Sequence, residues 1–328
     1  MSAVNGTNST LNNDLPVNIV RGTHSQLVLF LVLNMWPSHF GLLVLVGIVI
    51  LSKRVTRHPT FVNLCVVFII TGLSSSLLVY AGKTTGPEPS RILCLLQASL
   101  LYGMPGLTST AALMLVLQMF FTVRASSQGL PNNDEDHFFR LWGMLAAPYL
   151  AYLVGILATA AVGAANPEHV SRNRRFFYCS VESLPLTNTL TVASAIILFT
   201  ALVAVVWTMV ILYRRLSRSK QERSQWTMDL SLPIRIMGFG VYIIIAMSLS
   251  LLSVKSPSSP VPDLVIASAA TVVILIFGTQ RDILGVLCFW KRPSPQENQI
   301  RVDLKMEFDR EVDIPPKVPE KDHRNYQV

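Results

Sequence analysis

Apolar residues run through this chain in long unbroken stretches. Seven stretches contain no Asp, Glu, Lys or Arg: 22–52, 59–82, 94–123, 141–167, 183–213, 236–254 and 264–280. A helix needs about 20 apolar residues to cross a hydrocarbon core of roughly 30 Å. Each stretch is of helical length and lacks the period-2 alternation of a barrel strand. The pattern predicts an all-α membrane protein, a bundle of seven transmembrane helices over residues 25–280. Pro37, Pro105 and Pro148 stand inside stretches one, three and four, where they predict kinks. In stretch four, Gly143, Ala147, Ala151, Gly155, Thr159 and Gly163 recur at every fourth position. Such a stripe of small residues lets helices approach closely. It predicts either tight packing inside the bundle or a homodimer face.

The flanks read differently. Residues 1–24 form a polar tail, and the first apolar run is too long for the core of a cleavable signal. After the seventh stretch, Ile283, Leu284, Leu287 and Trp290 fall on one face of a helix over 281–292. Residues 293–328 are rich in Pro, Glu and Lys and predict a disordered tail. Within it, 300–308 alternates apolar and charged residues strictly. That is the strand period, suited to adding to a partner's sheet edge, or a chance alternation.

Composition agrees with a bilayer protein. Of 328 residues, 51% are hydrophobic and 14% charged, against roughly 25% charged in a soluble domain. Mean hydropathy is +0.47. The net charge of +8 is distributed by side. Seven Lys and Arg fall in the N-terminal tail and in the second, fourth and sixth gaps. Eleven fall in the first, third and fifth gaps, and nine more follow residue 280. Lys and Arg concentrate on the cytoplasmic side, so the N-terminus is expected outside and the C-terminus inside. The charge then speaks for an anionic inner leaflet rather than for nucleic acid. The sequons at Asn5 and Asn8 lie in the expected outer tail, as glycosylation requires. Cys94 and Cys179 also fall outside, where a disulfide can persist. Cys65 lies within the second stretch and reads as a small core residue. Cys288, beside the inner leaflet, is a candidate for lipidation or a plain thiol.

Several functions are argued against by what the stretches lack. Intramembrane ionisable residues mark pumps and transporters, and His39 is the one clear mid-stretch candidate. It reads foremost as a histidine hydrogen-bonded to a neighbouring helix. The seventh stretch has no Lys for a retinal Schiff base. Of the six histidines only His39 is intramembrane, which argues against a membrane zinc hydrolase and against haem. No Gly-rich phosphate loop or nucleophile elbow occurs. No enzyme activity, cofactor or metal is expected.

The ordered pair Cys94 and Cys179, the outer sequons, the seven spans and the basic third inner loop together resemble the G-protein-coupled receptors. That resemblance implies a disulfide between Cys94 and Cys179. It also implies that 281–292 is the short eighth helix lying along the inner leaflet. The segment Phe277-Gly278-Thr279-Gln280-Arg281-Asp282, followed by Phe289-Trp290, is similar to uncharacterised fungal receptor-like proteins. Three family features are replaced. Span three ends Phe120-Phe121-Thr122-Val123-Arg124, without the acidic neighbour or the Tyr of the rhodopsin-like receptors. Span seven has neither their Pro nor their Tyr, and Pro233 stands only at the start of span six.

The resemblance implies a plasma-membrane receptor that senses an extracellular ligand and signals to a heterotrimeric G protein. The alternative is a seven-span transporter or channel-like protein. Arg214, Arg215 and Arg218 would cluster if span five continues as a helix, and with Arg124 and Arg235 they are the candidate G-protein contacts. The same residues would also serve as headgroup anchors. Gln97, Tyr102 and Asp263 are the candidate ligand-pocket residues. Gln97 and Tyr102 could instead bond between helices, and Asp263 could be a solvated helix-end charge.

Overall fold

A computed structural model describes residues 23–52, 58–84, 88–128, 134–172, 177–219, 237–248, 261–279, 283, 284 and 286. For 126–128, 134–137 and 215–219 it describes only the backbone. The chain divides into two units, Met1–Ile283 and Leu284–Val328. Of the second, Leu284 and Val286 alone are described.

Helices occupy all seven apolar stretches. They are α1 His24–Leu51, α2 Pro59–Ser75, α3 Arg91–Gln128, α4 Asp134–Ala165, α5 Leu184–Ser219, α6 Met237–Ser248 and α7 Val261–Gly278. Five of them (α1, α3, α4, α5 and α7) are long and apolar enough to cross a membrane; α2 and α6 are shorter apolar helices. Large apolar side chains cover their outer faces: Leu150, Val154 and Leu157 on α4 and Ile196, Phe199 and Val206 on α5 are all more than half exposed. Water would not tolerate so continuous an apolar surface. The chain is an all-α membrane protein.

Local sequence sets the helix ends. Thr23 caps α1 through a capping box: its hydroxyl accepts from the Gln26 N–H, and the Gln26 side chain accepts from the Thr23 N–H. His58 caps α2 by accepting from the Thr60 N–H, with Pro59 at the first helical position, where a missing N–H costs nothing. Pro37 does not simply kink α1. It opens a π-helical turn, Pro37–Gly41, closed by the Leu42 N–H on the Pro37 carbonyl. Pro105 and Pro148 stand inside α3 and α4. Each withdraws the N–H that the carbonyl one turn back would otherwise receive.

α3 is the central helix, packed against α2, α4 and α5. α1 lies against α2 and α7. α6 reaches α7 through Phe239, whose ring is 6.0 Å from that of Phe277, and reaches α5 where Gly240 meets Val205. Hydrogen bonds join α2 to α4. Tyr149 of α4 donates to Asn63 of α2 at 2.7 Å, and Asn63 donates to the Leu145 carbonyl at 3.2 Å. His39 is half-buried. Its ring bonds Tyr80, in the turn that follows α2, as well as Ser38 and the Met35 carbonyl of its own helix.

The small-residue stripe of α4 is used inside the bundle. Gly155, Thr159 and Gly163 are buried. A Cβ on Gly155 would lie 2.7 Å from the Gly103 Cα, and one on Gly163 would lie 2.4 Å from a Leu95 methyl carbon. Of the two readings of the stripe, packing inside the bundle describes Gly155 and Gly163, which α3 of the same chain covers. Gly143, at the far end, has nothing within 4 Å of an added Cβ.

Gly155→Leu should accordingly prevent α3 and α4 from closing, since backbone stands in the way. We expect a loss of about 1–3 kcal/mol or more of stability, read as a lowered Tm and loss of monodisperse protein in nanodiscs. Gly143→Leu should leave both unchanged.

Candidate ligand-binding site

The site grows from the segment between α4 and α5. Ala165 ends α4, and the chain returns through a minimal antiparallel hairpin: Val170 pairs with Val181 and Ser171 with Ser180. Cys179, beside the second strand, is disulfide-bonded to Cys94 near the start of α3, with the two Cα atoms 5.2 Å apart. Leu78, Ala98, Val170 and Val181 bury the disulfide completely. Arg172 fixes the hairpin from its other side. Its guanidinium donates to the Lys83 carbonyl at 2.9 Å, and its backbone N–H donates to Glu88 Oε1 at 3.2 Å. Held this way, the hairpin carries two aromatic residues toward the bundle. Phe177 stacks on Phe30 of α1 with ring centroids 4.7 Å apart. The Tyr178 hydroxyl donates to Asp263 Oδ1 of α7 at 3.1 Å.

Below these two residues the bundle holds a partly open cavity of roughly 240 Å³. Its wall comes from α1, α2, α3, α5, α6 and α7 together with Tyr178. Most of the wall is apolar, with Phe30, Phe68, Met104, Phe239 and Ile243 among the lining side chains. Asp263 supplies the one formal charge among the described lining residues, and only 8% of it is exposed.

The polar part of the wall has one orientation. Six lining hydroxyls, those of Thr71, Thr108, Ser109, Thr187, Thr191 and Ser194, each donate to the carbonyl four residues back in their own helix. A carbonyl cannot donate, so each hydroxyl hydrogen is spent there and the oxygen lone pairs remain for the cavity. The tyrosines follow suit. Tyr102 donates to the Val181 carbonyl at 3.1 Å and Tyr242 to the Val265 carbonyl at 3.4 Å. Donors are scarce. Asn34 uses one amide N–H on the Phe30 carbonyl at 2.8 Å and keeps the second. Ser75 makes no hydrogen bond among the described residues.

Of the sequence-derived pocket residues, Tyr102 and Asp263 line this cavity and Gln97 does not. Gln97 is fully buried behind it, and its Oε1 accepts the Cys179 N–H at 3.1 Å. Its role is to hold the disulfide strand against α3. Asp263 is not the solvated helix-end charge of the alternative reading, being buried at the first turn of α7. Tyr178 was missed as a site residue. Its neighbour Cys179 was the signal that tied it to the bundle. The lining Ser and Thr residues were missed because nothing in the sequence separates them from ordinary helix hydroxyls.

At the opposite end of the bundle, Arg124 of α3 and Arg214 of α5 are exposed. The α5 helix continues through Arg215 and Arg218 to Ser219, as the basic extension expected of it. Arg140 of α4 lies over the Phe121 ring, 4.8 Å from its centroid. Asn5, Asn8, Arg235 and Cys288, most of the 281–292 helix and all of the 293–328 tail lie outside the described residues. No group of three or more His, Cys, Asp or Glu able to hold a metal occurs among the described residues.

The class that fold and site define is a helical membrane bundle with a cavity among its helices. No family model and no curated protein matches the chain.

Cutting the disulfide should loosen the hairpin from α3. Cys94→Ser with Cys179→Ser is expected to cost roughly 2–4 kcal/mol. The check is a lowered Tm in nanodiscs, with a reductant lowering the wild-type Tm and leaving the variant's unchanged.

Proposed function

We propose that this chain is a seven-span receptor of the plasma membrane, N-terminus outside. It binds an extracellular small molecule in the bundle cavity and signals to a heterotrimeric G protein at its inner end. The observation that carries the reading is the cavity itself. It draws its wall from six helices and lies against a hairpin that a disulfide fixes to the central helix. A ligand in such a site touches elements that can move relative to one another. Its differential affinity for their arrangements is what shifts a population.

The rest of the reading supplies the output. Arg124, Arg214, Arg215, Arg218 and Arg235 present cations at the inner end, suited to an acidic groove on a partner. The 281–292 segment is the eighth helix along the inner leaflet, with Cys288 available for lipidation. Asn5 and Asn8 carry glycans on the outer tail. A transporter would need intramembrane relays, and the described cavity lining offers one carboxylate, hydrogen-bonded to Tyr178.

The test is nucleotide exchange on G-protein heterotrimers with the full chain reconstituted in nanodiscs. Wild type should accelerate exchange. Replacing Arg214, Arg215 and Arg218 together by Ala should reduce that acceleration roughly tenfold or more. No acceleration by wild type, coupled with flux of solutes across proteoliposomes, would replace this reading with the transporter one. Glycosidase treatment of cell-surface protein should shift the mobility of wild type but not of a variant carrying Asn5→Gln and Asn8→Gln.

A further inference from the structure

The direction of the hydrogen bonds in the cavity wall restricts what can fill it. We infer that the ligand is a small, apolar-bodied hydrogen-bond donor, an alcohol or a protonated amine, and that the cavity discriminates against acceptor-only and anionic groups. The inference rests on the cavity being a ligand site and deepens that reading by naming the ligand's chemical class.

The argument is an accounting of hydrogens. Each of the six Ser and Thr hydroxyls in the wall has one hydrogen and donates it to a backbone carbonyl. Tyr102 and Tyr242 also donate to carbonyls, and Tyr178 donates to Asp263. Every one of these oxygens still has lone pairs. Pro105, which has no N–H, also withdraws the usual partner of the Leu101 carbonyl, and both residues line the cavity. Against this acceptor surface stand two side-chain donors among the described lining residues, the second amide N–H of Asn34 and the Ser75 hydroxyl.

A ketone, ether or ester entering this space would leave its own oxygen and the wall's oxygens facing each other. A buried acceptor without a donor loses its hydration and gains nothing in return. A carboxylate or phosphate meets the further obstacle that the described lining's one formal charge, on Asp263, is negative. A hydroxyl or ammonium group meets lone pairs on most polar sides of the cavity, and the ammonium gains from the carboxylate as well. The apolar remainder of the wall fits a hydrocarbon body, aromatic or aliphatic.

A matched set of naphthalene probes isolates the head group at constant body. These are 2-naphthylmethylammonium, 2-naphthylmethanol, 2-acetylnaphthalene and 2-naphthoate. Binding to the full chain in nanodiscs is read from the shift of Tm with probe concentration, with empty nanodiscs correcting for partitioning. The ammonium and the alcohol should bind about tenfold or more tightly than the ketone and the carboxylate. Thr108→Val with Thr191→Val keeps shape and removes two acceptors, and should narrow that preference to within about threefold while Tm without probe stays near wild type. Equal or tighter binding of the ketone or the carboxylate overturns the inference, as does the absence of binding by all four probes. The readout involves no G protein. A preference for donors without nucleotide exchange would leave the ligand class standing and count against the receptor reading alone.

Discussion

A hydroxyl group inside an apolar bundle has to give its hydrogen to something, and water is not available to take it. In this chain the nearest acceptor is almost always the carbonyl one helical turn back. Thr71, Thr108, Thr191 and Ser194 all use it. That local solution lets serine and threonine sit in helices of high mean hydropathy without partners on neighbouring helices. It also leaves a consequence on the other side of the oxygen. Wherever such residues face an internal space, that space is lined by lone pairs. The chemistry of the cavity thus follows from a constraint each helix meets by itself.

The frame around the cavity rests on two close contacts at α3. On one face, glycine at 103 and at 155 brings the backbones of α3 and α4 together, with no room for a methyl group between them. At the end of the helix, the disulfide and Gln97 bind the hairpin strand to the first turns of α3. The first contact sets where α3 lies relative to its neighbour. The second sets where Phe177 and Tyr178 can reach. Both leave the side of α3 that faces α5, α6 and α7 free to border the cavity.

Much of this was legible in the residues. Seven charge-free stretches yielded seven helices because a run of that length has few other ways to satisfy its backbone in an apolar medium. The close packing of α4 was visible in its spacing. Its partner was not, because a small stripe looks the same whether it meets a helix of its own chain or of another. Pro37 announced an irregularity, but proline chemistry alone does not distinguish a kink from a π-helical turn. The pocket was half legible. Tyr102 and Asp263 were polar groups in the right places, whereas Gln97, chosen on the same grounds, turned out to serve the disulfide strand. The reversal depended on a backbone N–H 82 residues away, which no local pattern encodes. The role of Arg172 was illegible for the same reason, since its partners lie in the segment after α2.

The hairpin strand has one further property, which follows from how little chain separates its cysteine from the next helix. Cys179 stands five residues before Leu184, the first residue of α5. Fully stretched, five residues span at most roughly 17 Å. The disulfide therefore puts α5 on a short leash to α3, while the longer run from Ala165 leaves α4 no comparable restraint. At α7 the hairpin is held by the hydrogen bond between Tyr178 and Asp263. The segment is thus anchored covalently toward α3 and α5, and through the Phe177 and Tyr178 side chains toward α1 and α7.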